Sequence, residues 1–238
     1  MQPGDPAAVR GLFESVAPRY DQLNDALSLG LHRLWKRQVI TLLRPSPGQH
    51  LIDLCCGTGD LALMIGAALR PGGDVLGLDA ASAPLAVARR RAAAQPWLSV
   101  RFQQGDALAT GLPDGRMDGA SMAYGLRNLA DPAAGLAELR RILRPGARAV
   151  VLDFRHLDPQ AGPQEASLER FQRWYLRSLV VPAARLAGLE REYAYLQASI
   201  DRFPTAETLC LLARRAGFRQ VRHRPIAAGL MGVLELVA

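Results

Sequence analysis

Between positions 53 and 106 the chain sets glycines and carboxylates at spacings that suit a nucleoside-bearing ligand. Gly57 and Gly59 follow the apolar run 51–56, and glycine lets a backbone approach a ligand closely. Asp79 ends a second apolar run, where one carboxylate can hold both hydroxyls of a ribose. Gly57-Thr58-Gly59-Asp60-Leu61-Ala62 also fits the dinucleotide pattern G-x-G-x-x-A, so this motif alone leaves NAD and S-adenosyl-L-methionine open.

Three further residues favour S-adenosyl-L-methionine. Asp60 stands where a dinucleotide's pyrophosphate would approach a helix start, and like charges repel there unless screened. Asp53 can attract the methionine ammonium directly or through water. Gly105-Asp106-Ala107, after a third run, offers a carboxylate that can accept from the adenine amino group. Thr58 either contacts the methionine carboxylate or shapes the turn. Ala123, at the end of a fourth run, is counted with the cofactor wall.

Positioning these groups on one edge requires parallel strands alternating with helices. The pattern predicts strands at 51–56, 74–79, 100–104, 117–124 and 147–154. A helix carries Leu61, Met64, Ile65, Ala68 and Leu69, and another, capped by Ser82, runs to about Gln95. A third starts at Asp131-Pro132, turns Leu136, Leu139 and Leu143 to one face, and stops at Pro145-Gly146. The end is a helix at 205–216 and strands at 218–225 and 231–237. The expected class is therefore α/β, a Rossmann-like domain over 1–238, with an N-terminal helical cap (1–45) and a helical insert (160–200) after the fifth strand. Leu31, Leu34 and Trp35 are expected to face inward from the cap.

The formal charge is +7, and 28 of the 29 basic residues are arginine, which invites a nucleic-acid or membrane partner. The arginines are scattered, however, and groups such as Arg89-Arg90-Arg91 and Arg140-Arg141 fall on predicted solvent faces. The fourth run is not followed by a Pro-Pro-aromatic motif that would grip a flipped base, so no nucleic-acid partner is expected. Cys55, Cys56 and Cys210 have neither metal-ligand nor disulfide spacing, and no metal is expected. The absence of a leader pattern and of an ~18-residue apolar run suggests a cytoplasmic protein, with peripheral membrane contact and a homo-oligomer left open.

The blocks VAPRYDQLNDALSLGLHRLWKR (16–37), DLCCGTGDLA (53–62), AYGLRNLADP (123–132), LRPGARAVVLDF (143–154) and LQASIDRFPT (196–205) together resemble the ubiquinone/menaquinone biosynthesis C-methyltransferases. The CCG triplet, VLDFRH, the segment 171–196 and the ending PIAAGLMGVLELV resemble the photosynthetic branch, which acts on 2-phytyl-1,4-naphthoquinone. GARAV departs from the commoner GGR at the fifth strand. The resemblance implies methylation of the carbon beside the prenyl chain of a phytyl naphthoquinol. Demethylmenaquinol and the ubiquinone precursor stay open as substrates, with RNA methylation and a non-catalytic module as the readings from other classes.

A quinol, above all as its phenolate, is the nucleophile such a reaction needs. Within GLRN, Arg127 is expected to stabilise that oxyanion and Asn128 to assist it. His156, beyond the fifth strand, is the candidate general base. Tyr20 and Tyr124 are candidates for lining the pocket or relaying a proton. Phe171, Trp174, Tyr175, Leu176, Leu179, Val180 and Val181, with Arg170, Arg173, Arg177 and Arg185, suggest a cover for the prenyl tail that meets either the domain or lipid.

Overall fold

The computed structural model describes residues 4–16, 28, 30–180, 182 and 190–238, leaving out the side chains of 179, 180 and 190–194. Tyr20, Val181 and Arg185, and the side chains of Leu179 and Val180, therefore lie outside the described residues. A seven-stranded sheet carries the molecule, in the order β3-β2-β1-β4-β5-β7-β6. Its strands are β1 (His50–Leu54), β2 (Asp74–Asp79), β3 (Val100–Gln104), β4 (Met117–Ala123), β5 (Leu143–Phe154), β6 (Gln220–Ile226) and β7 (Met231–Val237). The first five run parallel, and β7 lies antiparallel to both β5 and β6. Strand order reverses between β1 and β4, which opens a crevice at their carboxyl ends.

Helices cover both faces, as parallel strands buried on two sides require. On one face α2 (His32–Leu43) and α3 (Asp60–Ala68) bury Val39, Leu43, Leu61 and Ile65 against Leu51, Val75, Val150 and Val233. On the other, α5 (Pro132–Ile142) and α8 (Ala206–Arg215) bury Leu136, Leu139, Leu209 and Ala213 against Ile52, Met122, Val151 and Leu234. The other α-helices among the described residues are α1 (Pro6–Val16), α4 (Ser82–Ala93), α6 (Pro163–Tyr175) and α7 (Glu190–Arg202). At the sheet's margin β6 exposes Arg222, Arg224 and Pro225.

Asp131 caps α5 as its type predicts, its Oδ1 accepting from the amides of Ala133 and Ala134, and Pro132 begins the helix. Elsewhere tertiary contacts override local pattern. In α2 the buried stripe is His32, Lys36, Val39 and Leu43, whereas Leu31 and Leu34 are 45% and 54% exposed and Trp35 is only partly buried. Lys36 is tolerated inside because its ammonium reaches Asp60 at 2.8 Å while its alkyl stem packs. Ala68 of α3 is exposed, and Leu143 belongs to β5 rather than to a helix face.

Ser82 does not cap α4. The cap position is Ala81, which has no side-chain oxygen to offer. Strand β5 begins directly after α5 and runs through Pro145-Gly146, with an irregularity in register between Met117 and Gly119 of β4 absorbing the extra residues. Several arginines expected at solvent faces are engaged: Arg91 with Asp60, Arg140 with the carbonyls of Gly217 and Leu143, and Arg141 with Glu138 and Asp114.

Candidate active site

Parallel pairing of β1 with β4 puts Ser121 beside Asp53, and the Ser121 hydroxyl donates to the Asp53 carboxylate at 2.6 Å. Asp53 is only 1% exposed, and burial pushes its carboxyl up to about 7, against the lowering pull of Ser121 and Lys36. β1 ends at Leu54, and Cys55, with a φ of 55°, turns the chain over the sheet edge toward Gly57 (φ 54°). The Gly57 amide donates to Asp79 Oδ2 at 2.8 Å, and the Ala81 amide to Asp79 Oδ1 at 2.9 Å. Burial raises the Asp79 carboxyl, while those two amides pull it down.

A cavity of about 440 Å³ opens at this edge. Gly57, Asp79, Asp106, Ala107, Ala123, Tyr124 and Asn128 all line it. Asp106 holds its own turn by accepting from the Leu108 amide at 2.8 Å. Asp53 is buried and does not line the cavity. Thr58 is buried, its carbonyl and hydroxyl within reach of Arg91 at 3.2 and 3.3 Å. Gly59 is required by packing as well as by its φ of 84°, since a Cβ there would come within 2.7 Å of the Phe102 ring.

Asp60 turns to Lys36 (2.8 Å) and Arg91 (2.6 Å). Burial alone would raise its carboxyl, but these two cations outweigh it and hold the group below the ordinary range. Its charge is thus screened, and repulsion of a pyrophosphate is not a force this site exerts. Asp60 therefore does not discriminate a sulfonium ligand from a dinucleotide.

Beyond β4 the chain turns at Tyr124 (φ 61°) into a short helix at Leu126–Asn128. The Tyr124 carbonyl accepts from Arg127 Nη1 at 2.8 Å and from Asn128 Nδ2 at 2.9 Å. Arg127 is buried and also pairs with Asp153 of β5 at 2.7 Å, its guanidinium lying 5.3 Å from the Phe154 ring centre. It does not line the cavity. His156 is not brought there either; its Nδ1 meets the Phe203 carbonyl, and both residues line a separate, smaller cavity.

Residues that sequence spacing did not single out complete the site. Tyr195 of α7 donates to Asn128 Oδ1 at 3.0 Å. Arg202 Nη2 donates to the carbonyls of Arg127 (3.1 Å) and Leu129 (2.8 Å). From α1, Pro6, Val9, Arg10 and Phe13 supply a cavity wall. These partners lie far away in the chain, and no local pattern marks them.

Comparison with known proteins places this geometry. The sequence matches the ubiE/COQ5 methyltransferase family over residues 1–235. It is 47% identical over 225 residues to a 2-phytyl-1,4-naphtoquinone methyltransferase of Thermosynechococcus vestitus, covering 94% of this chain and 96% of that one. A chloroplastic 2-phytyl-1,4-beta-naphthoquinone methyltransferase of Arabidopsis thaliana is 39% identical over 229 residues, covering 94% and 85%. Among solved structures, a SAM-dependent methyltransferase from Aquifex aeolicus superposes with a TM-score of 0.62 at 16% identity, covering 98% of both chains. A putative methyltransferase solved with its Haloferax volcanii Trm112 activator gives 0.67 at 15% identity, covering 95% and 97%. The fold is thus the Rossmann-like methyltransferase fold, and with a family match along almost its whole length the chain belongs to the ubiE/COQ5 methyltransferases.

Proposed function

We propose that this chain transfers the methyl group of S-adenosyl-L-methionine to the ring carbon beside the phytyl chain of 2-phytyl-1,4-naphthoquinol. The observation that carries the reading is one cavity lined by Asp79, Asp106, Tyr124 and Asn128 together, in a chain 47% identical to a protein named for that quinone.

The donor set fits the cofactor. Asp79, fixed by two backbone amides, retains lone pairs for a ribose diol, and Asp106 stands one strand further along for the adenine amino group. Asp53, buried outside the cavity wall, contributes negative charge toward a cationic ligand in its ionised form, without touching it. When bound, the cofactor supplies a methyl group already made electrophilic by its sulfonium.

The protein's remaining task is to hold the ring in line and favour a quinolate over a quinol. Arg127 is matched by Asp153, so it acts on the ring through the turn it braces and not by contact. Arg127 and Arg202 together with Asp153 leave net positive charge behind the wall that Asn128 forms, a preorganised field for an oxyanion. His156, held by a carbonyl away from the cavity, has no part in this scheme.

We further assign the outer face of α6 to peripheral membrane contact. Phe171 and Trp174 are 45% and 55% exposed with ring centres 5.8 Å apart, beside Arg170 and Arg177, while Gln172 and Leu176 face inward. A phytyl tail of ~20 carbons loses about 0.8 kcal/mol per CH₂ exposed to water, so access from lipid is favoured over extraction. Among the described residues no helix is long and apolar enough to span a bilayer.

The test is an anaerobic assay of purified protein with phytyl naphthoquinol, demethylmenaquinol and the benzoquinol precursor. The phytyl quinol should be methylated with the highest kcat/KM and its oxidised quinone not at all. Equal rates on quinol and quinone would overturn the nucleophile argument, and a preference for another ring would overturn the substrate.

A further inference from the structure

Helix α1 crosses the cavity and is tied at both ends. At its leading end the Gly4 amide reaches the Tyr195 hydroxyl, which in turn holds Asn128. Gly4 also packs on the Arg202 guanidinium, which an added Cβ would meet. At its trailing end Glu14 reaches α4, a helix that begins without a side-chain cap of its own. The Ser82 amide donates to Glu14 Oε1 at 2.6 Å, the Ala83 amide to Oε2 at 2.8 Å, and the Ser82 hydroxyl to Oε1 at 3.0 Å.

The amides at the start of α4 are thereby divided between two carboxylates. Ala81 gives its N–H to Asp79, the ribose acid, and the next two residues give theirs to Glu14. Between its two ties α1 presents Pro6, Val9, Arg10 and Phe13 to the cavity, whose wall also includes Ala81 and Pro84. A ligand seated on Asp79 and Asp106 would therefore lie under α1.

We propose that Glu14 is a latch: it fastens α1 over the cofactor cavity by capping α4, and cofactor exchange requires its release. The inference rests on the cavity being the cofactor site. A helix cap supplied by a distant segment couples two events. When α1 lifts, α4 loses its cap beside the ribose-binding acid, and when a ligand orders the Asp79–Ala81 turn, it presents the two amides that draw Glu14 in. Binding competence then depends on the fraction of molecules with α1 closed.

The experiment uses S-adenosylhomocysteine, which binds without reacting, with calorimetry for Kd, stopped-flow fluorescence for dissociation, and hydrogen exchange over residues 6–16 and 82–93. Wild type should bind, and its amides at 6–16 should be further protected by ligand. Glu14→Ala should raise the dissociation rate roughly tenfold and Kd somewhat less, with ligand-dependent protection of 6–16 lost. Glu14→Gln, retaining one acceptor, should fall between. Phe13→Ala, which thins the wall without touching the cap, should also speed dissociation. No binding by wild type would remove the cofactor reading itself. Binding with dissociation rates within twofold of wild type in both Glu14 variants would overturn the latch alone. So would faster dissociation in Glu14→Ala only, with lost protection confined to 82–93, since Glu14 would then merely cap α4.

Discussion

Asp53→Asn should make the protein more stable and a poorer cofactor binder. Asp53 is 1% exposed, and its folded value of about 7 stands against an ordinary value near 3.8. Between about pH 4 and pH 7 the folded state keeps a proton that the unfolded chain has released, so stability falls as pH rises through that window. The displacement corresponds to at most about 4 kcal/mol, reached above pH 7. Asparagine keeps the shape and an oxygen for the Ser121 hydroxyl while removing the buried charge. Urea unfolding from pH 4 to pH 8 should show the two proteins nearly equal at pH 4, with Asp53→Asn ahead by about 1–4 kcal/mol at pH 8. Calorimetry should show S-adenosyl-L-methionine binding weakened roughly tenfold, as attraction from a buried carboxylate disappears. Parallel stability curves, or a variant less stable at pH 8, would refute the claim that burial of this charge is tolerated for its effect on the ligand.

Glu138 is held at about 2 chiefly by hydrogen bonds from Arg141, with burial opposing and Thr110 assisting. The stability it contributes is present above pH 4.5 and lost as pH falls through about 2, so Glu138→Gln should cost about 1–2 kcal/mol at pH 7 in urea unfolding and much less at pH 2.5. Tyr195→Phe removes the donor to Asn128 Oδ1 and should lower kcat roughly tenfold, and its effect should not add to that of Asn128→Ala. Additive effects would make Tyr195 a packing residue only. Phe171→Glu with Trp174→Glu should abolish salt-sensitive flotation with anionic liposomes while leaving cofactor affinity intact; unchanged flotation and unchanged activity on long-tailed quinols would exclude α6 as the membrane face.

What could be read from the sequence follows the range of the forces involved. Strands β2, β3 and β7 lie at their expected limits, because the mainly apolar runs of β2 and β7 and the Val-Arg-Phe-Gln alternation of β3 are local signals. Asp131-Pro132 likewise declares its helix start by itself. The same locality explains the errors. Ser82 has the right chemistry for a cap, but Glu14, 68 residues away, takes the amides first. Leu31 and Leu34 are more apolar than Lys36, yet Lys36 is inside because Asp60 waits for it. In the site, Gly57, Asp79 and Asp106 announced themselves because strand ends in a parallel sheet converge on one edge. Tyr195 and Arg202 did not, since a hydrogen bond between a turn and a helix far along the chain leaves no periodicity.

The outermost strand has a consequence for how copies of this chain meet. A free strand edge offers a row of unused N–H and carbonyl groups on which another chain can zip. On β6 that row is flanked by Arg222 and Arg224, both exposed, and interrupted by Pro225, which has no N–H to give. Two copies approaching edge to edge would bring their Arg222 guanidinium groups together, Arg224 being paired with Glu235, and would lose a rung at the proline. An arginine-rich composition that selects no partner by itself here works against a wrong one, and the sheet ends at its seventh strand.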